Sequence, residues 1–249
     1  MKLSIAEPKL LVDSVSVISE LVNEVRFKVD KDKVELIAMD PANVAMVIFQ
    51  MFSSAFTEYK VDKPEDIAIN LDSLKALLRR VRPSDVIIIE LDQEKNRLKV
   101  QLRSDSIRTF NLALIDIEEK AQRVPELTFP LSIEMDSAVF DEAIQDVDVV
   151  AESVALIAGK DNFVIEAESN MNDARVEISK GSLLTIKNSL KEIVKAKYSI
   201  EYLKKIVKAS KLCDKVVLQF NKDYPLRADY LLKDKLSMSV ILAPRVSTD

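Results

Sequence analysis

The chain has 249 residues, 48% apolar and 31% charged, enough to fill one large or two smaller hydrophobic cores. With no histidine, two glycines (Gly159 and Gly181) and one cysteine (Cys213), it excludes imidazole-based triads and zinc sites, glycine-rich phosphate loops, internal disulfides and four-cysteine metal centres. A formal charge of −5 argues against a uniformly basic nucleic-acid binder, and the absence of a signal-like segment or of an apolar run near ~18 residues reads as a cytoplasmic chain without a membrane span.

In chain order, helical spacing over 8–21 precedes alternation of Val25, Phe27 and Val29 with Arg26 and Lys28, the pattern of a strand with one buried face. Further strands are expected at 34–38, 44–51, 86–91, 98–102 and 107–114, then at 154–158, 163–167, 174–178, 216–220 and 236–242. Helical spacing returns at 72–82, 137–149 and 200–211. In the 72–82 segment Leu74, Leu77, Leu78 and Val81 share a face, and Asp72 stands where an N-cap is wanted.

The chain repeats itself at an offset of 129: Val25 falls on Val154, Lys31 on Lys160, Asp32 on Asp161, Ala38 on Ala167, Leu74 on Leu203 and Asp85 on Asp214. The apolar faces coincide too, with Leu11 on Phe140, Phe27 on Leu156 and Val34 on Phe163. One ungapped register over four elements predicts a duplicated α+β domain, with residues 1–116 and 131–249 as the copies and the charged, proline-bearing stretch 117–130 as connector.

Lys75, Arg79 and Arg82 fall at i, i+4 and i+7, and Lys204, Lys208 and Lys211 repeat that stripe in the second copy. Taken alone, either stripe is a solvated face; taken twice in an acidic protein, they suggest a surface for phosphates. The other two helical segments differ, since 9–21 carries a net −1 and 137–149 a net −4. No carboxylate pair converges by spacing, and Ser210, Lys211 and Cys213 lack a partner base, so no catalytic residue, metal ligand or cofactor is expected.

Four segments resemble the archaeal and eukaryotic proliferating cell nuclear antigen family: AMDPANV (38–44), NLALIDIEE (111–119) leading into VPEL (124–127), DYPLRADY (223–230) and the terminal LAPRV (242–246). The resemblance runs from Met1 to Val246. It implies two similar domains of antiparallel sheets with two helices each on an inner face, assembled as a ring of three identical or related chains around duplex DNA. Such a ring is loaded by an ATP-driven clamp loader and tethers polymerase, flap endonuclease and ligase; a related checkpoint or scaffold ring is the alternative.

The resemblance places Lys75, Arg79, Arg82, Lys204, Lys208 and Lys211 on the DNA-facing surface. It gives a partner-peptide pocket of Met39, Val44, Met46, Val124, Pro125, Phe129, Tyr224, Pro225, Ile241, Ala243, Pro244 and Val246. Subunit contact falls on strand 107–115, with Ile107, Arg108, Phe110 and Leu112, against strand 173–180 of the next chain, with Arg175, Val176 and Ile178. This sequence departs from the family at Glu142 and Gln145, where positive charge is usual, and at Gln122, where a large apolar residue is usual.

Overall fold

The computed structural model describes residues 1–118, 122–181, 184–190 and 192–245, and the period-two alternation appears as antiparallel strands. The chain divides into two compact units, one formed by Met1–Pro41, Val47–Arg123 and Leu232–Met238, the other by Ala42–Met46, Val124–Leu231 and the residues from Ser239 onward.

The first copy of the element pattern runs β1 (Lys2–Ile5), α1 (Pro8–Ile18), β2 (Glu24–Val29), β3 (Lys33–Met39), β4 (Ala45–Phe52), β5 (Glu58–Lys60), β6 (Glu65–Asn70), α2 (Leu71–Leu78), β7 (Val86–Asp92), β8 (Arg97–Arg103) and β9 (Ile107–Ala113). The second runs β10 (Leu131–Asp136), α3 (Ser137–Asp148), β11 (Ser153–Ala158), β12 (Asn162–Glu168), β13 (Asp173–Ser179), β14 (Leu184–Asn188), β15 (Val194–Ser199), α4 (Ile200–Ile206), a 3₁₀ turn (Val207–Lys211), β16 (Lys215–Gln219), β17 (Leu226–Leu232) and β18 (Leu236–Leu242). Adding 129 to the bounds of β2, β3, β6, β8 and β9 gives those of β11, β12, β15, β17 and β18 residue for residue.

Pairing repeats as faithfully. The order β5-β1-β7-β8-β9 recurs as β14-β10-β16-β17-β18, and β6-β2-β3-β4 recurs as β15-β11-β12-β13. The Leu71 N–H reaches the Asn23 carbonyl at 2.7 Å, and 129 residues on the Ile200 N–H reaches Glu152 at 3.1 Å. A duplicated α+β domain is therefore what the chain contains.

The helices are shorter than their sequence periodicity. α2 starts at Leu71 because the Asn70 side chain, not Asp72, accepts the Ser73 N–H at 2.9 Å; Asp72 sits in the first turn. It stops at Leu78, short of the expected 82, since Pro83 disfavours helical backbone at Arg82, and the residues between form tighter turns. α1 ends at Ile18 rather than Leu21, and α4 passes into the 3₁₀ turn after Ile206.

Both cores are apolar but are filled differently. The second unit buries Phe140, Phe163, Tyr198, Phe220 and Tyr230 completely, with Phe220 at 6.3 Å from Phe163 and 6.5 Å from Tyr198, ring centre to ring centre. Their counterparts in the first unit are Leu11, Val34, Ile69, Leu91 and Gln101. An apolar cavity of about 70 Å³ remains there, lined in part by Leu11, Val34 and Ile69. Among the described residues no helix is long and apolar enough to cross a membrane.

Candidate nucleic-acid and partner interfaces

Leu71, Leu74, Leu77 and Leu78 bury one side of α2, which leaves Lys75 half-buried at its surface and Arg79 exposed at its C-cap. Arg82 lies beyond the helix, in a turn where its N–H donates to Asp85 Oδ2 at 2.6 Å. The expected single helical stripe is thus broken after Arg79. In the second unit Leu203 and Ile206 bury the inner side of α4, and Lys204, Lys208 and Lys211 are exposed. A 3₁₀ turn has three residues per turn, so Lys208 and Lys211 stay on one line.

Lys75 and Lys204 are engaged by carboxylates. Lys75 Nζ donates to Glu20 Oε1 at 3.2 Å, and Lys204 Nζ lies 2.6 Å from Asp148 Oδ2. Asp141 of α3 accepts from Ser210 Oγ at 2.9 Å and from the Gln145 amide at 2.8 Å, while Glu142 is exposed. Neither Glu20 nor Asp148 was identifiable as a partner in the sequence, because helix packing sets those contacts.

Most of the expected partner pocket falls within the second unit. Phe129 and Tyr224 meet edge to face at 5.7 Å, and the Tyr224 carbonyl accepts the Tyr198 hydroxyl at 2.8 Å. The Ala243 N–H donates to the Val44 carbonyl at 2.9 Å, and the Arg245 N–H to Lys197 at 2.8 Å, fixing the tail segment around Pro244. Val44, Phe129, Tyr224, Pro225 and Pro244 are half-buried, Val124, Pro125 and Ala243 exposed, and Met46 and Ile241 buried. Met39, in the first unit, is half-buried; Val246 lies outside the described residues.

Among the described residues β9 pairs only with β8, and β13 only with β12. Both strands alternate exposed and half-buried residues along their whole length. On β9 Ile107 is 64% exposed, while Arg108, Phe110 and Leu112 are half-buried. On β13 Arg175 bonds Glu166 at 3.0 Å and Glu177 at 3.2 Å, between half-buried Val176 and Ile178. The counterparts of these two strands, β18 and β4, are neighbours: Phe52 donates to Lys235 in the first unit, as Ala243 does to Val44 in the second.

Cys213 is buried, and burial pushes its thiol up to about 11, away from nucleophilic chemistry at neutral pH. Among the described residues no cluster of three potential metal ligands occurs.

Two tandem α+β units with matched sheets, matched helices and recurring cations define a DNA-clamp fold. Residues 1–122 match "Proliferating cell nuclear antigen, N-terminal domain" and residues 123–245 match "Proliferating cell nuclear antigen, C-terminal domain". The chain belongs to the proliferating cell nuclear antigen family. It is 33% identical over 247 residues to the DNA polymerase sliding clamp of Nanoarchaeum equitans, covering 98% of this chain and 99% of that one. It is 31% identical to the Pyrococcus furiosus sliding clamp, covering 95% and 93%. The crystal structure of the antigen from Thermococcus kodakaraensis has the same fold, with a TM-score of 0.91, 23% identity and coverage of 98% and 99%.

Proposed function

We propose that the chain is one subunit of a DNA polymerase sliding clamp: a ring of three that encircles duplex DNA and, without catalysing a reaction, holds polymerase, flap endonuclease and ligase on the template. Opening and closure by an ATP-driven clamp loader belongs to the same proposal. So do its domain limits, 1–116 and 131–249 joined by 117–130, and residence in the cytoplasm with the nucleoid.

The pair of open edges carries this reading. β9 and β13 are the counterparts of β18 and β4, which lie side by side within the chain. Repeating that pairing from each chain to the next satisfies the open rows of backbone groups on β9 and β13 once the ring closes. Lys75, Arg79 and Arg82, with Lys204, Lys208 and Lys211, supply a modest set of phosphate contacts. Modest contacts suit a ring that is retained on DNA by linkage and must slide. The Phe129–Tyr224 surface beside Pro244 supports capture of an apolar partner peptide. Relatives named DNA polymerase sliding clamp favour this reading over a checkpoint or scaffold ring.

Light scattering tests the assembly: a homotrimer has a mass of about 84 kDa, three times the 28.1 kDa chain. A strictly monomeric chain at micromolar concentration removes the homotrimer. Loader-dependent extension of a primed circular template tests the function, and polymerase that gains no processivity there removes the proposal.

A further inference from the structure

Lys75 and Lys204 are counterparts 129 residues apart, and each is held by a carboxylate from the helical segment packed beside it in its own unit. The acceptors are not counterparts. Glu20 aligns with Val149, and Asp148 aligns with Ser19. The two copies therefore make the same pairing from different positions, so the duplication alone does not account for it. Nor does stability: these ion pairs are partly exposed, and such pairs contribute little to folding.

We propose that Glu20 and Asp148 are positioning residues that restrain the DNA-facing lysines and thereby set a loose grip on the duplex; this rests on the DNA-facing reading of the stripes. A phosphate reaching Lys75 or Lys204 must first displace a carboxylate, which then loses that cation while facing a polyanion. Each restrained lysine releases less than a full counterion on DNA binding. Freed, each adds up to about 0.9 to the slope of log affinity against log salt. Restraint of this kind keeps contacts exchangeable, as sliding requires.

The test compares the full-length chain with Glu20→Gln, Asp148→Asn and the double variant, by anisotropy of a fluorescent linear duplex across a salt series. Asp146→Asn is the control, because Asp146 is exposed on the same helix as Asp148 and makes no ion pair among the described residues. Asp148→Glu keeps the charge. The expected result is several-fold tighter low-salt binding and a steeper salt slope for Glu20→Gln and Asp148→Asn. Asp146→Asn should keep the parent slope, and Asp148→Glu should restore it.

Equal effects of Asp146→Asn and Asp148→Asn overturn the proposal in favour of a general field. An unchanged slope in the double variant, with the parent still binding DNA, overturns the restraint while leaving the DNA reading intact. A parent chain with no salt-dependent binding overturns both.

Discussion

The Asp85 carboxylate, buried to 1% exposure, holds the Arg108 guanidinium of β9 and the Arg82 N–H on the same oxygen, Oδ2. Arg108 Nη1 adds a 2.8 Å bond to the Arg80 carbonyl. The turn that carries Arg79 and Arg82 is thereby tied to an open edge strand. In the second copy of the element pattern the counterpart of Arg108 is Ser237, and Asp214, the counterpart of Asp85, is exposed, so the brace belongs to β9, which lacks the second neighbour that its counterpart β18 has.

Replacing Asp85 with Asn is expected to cost about 3 kcal/mol, since breaking one side of a buried pair leaves Arg108 uncompensated. Burial pushes the Asp85 carboxyl up, but the Arg82 N–H, the Arg108 guanidinium and the Ser104 hydroxyl together hold it below its ordinary value of 3.8. A lowered folded-state value means that this group's contribution is fully present above 3.8 and is lost as pH falls through the folded value. Urea unfolding at pH 7 and pH 3 checks the sign: the gap between parent and variant should narrow at the lower pH. A gap independent of pH would assign the loss to packing instead.

The cavity of about 70 Å³ in the first unit predicts a stabilising substitution. Val34 lines it, and its counterpart Phe163 is fully buried in the second unit. At about 24 cal/mol per Å³, filling the space completely is worth at most about 1.7 kcal/mol. Val34→Phe is therefore expected to gain about 1 kcal/mol and raise Tm by about 2–4 °C. A lower Tm in calorimetry would mean that the site is too small for the ring and is overpacked.

The duplication was legible because matched buried positions must recur when the same sheets are built twice. The strands Lys2–Ile5, Leu131–Asp136 and Glu65–Asn70 escaped periodicity, being short runs that lead almost directly into helices. Val194–Ser199 and Leu226–Leu232 did alternate, but their inward positions include Ala196 and Ala228, which are weak markers of burial. The cationic residues were legible as a repeated pattern, although the end of α2 was not, because Pro83 has no proline counterpart and the Arg82–Asp85 contact depends on the folded turn. Contacts such as Glu20 with Lys75 depend on helix packing and leave no local signal.

For the partner surface, Tyr224→Ala removes both the ring contact with Phe129 and a half-buried aromatic face. Central aromatics of peptide-binding sites typically contribute about 2 kcal/mol or more, so a peptide from a partner enzyme should bind at least tenfold more weakly in titration calorimetry. Pro244→Ala should act in the same direction with smaller effect. Unchanged affinity in both variants would move the peptide site elsewhere on the chain.

Ile107 and Leu231 allow a matched test of the open edge. Both are exposed apolar strand residues, at 64% and 63%, but Ile107 is on edge strand β9 and Leu231 on interior strand β17. Replacing either with Asp should change folding stability by less than about 0.5 kcal/mol, because the side chain is already in water. In an assembly built through β9, an aspartate at position 107 must lose hydration when the neighbouring strand arrives, whereas one at 231 keeps it. Sedimentation over a dilution series should therefore place dissociation of Ile107→Asp at a concentration at least tenfold above the parent, with Leu231→Asp unchanged. Equal behaviour of the two variants would remove β9 from the subunit contact.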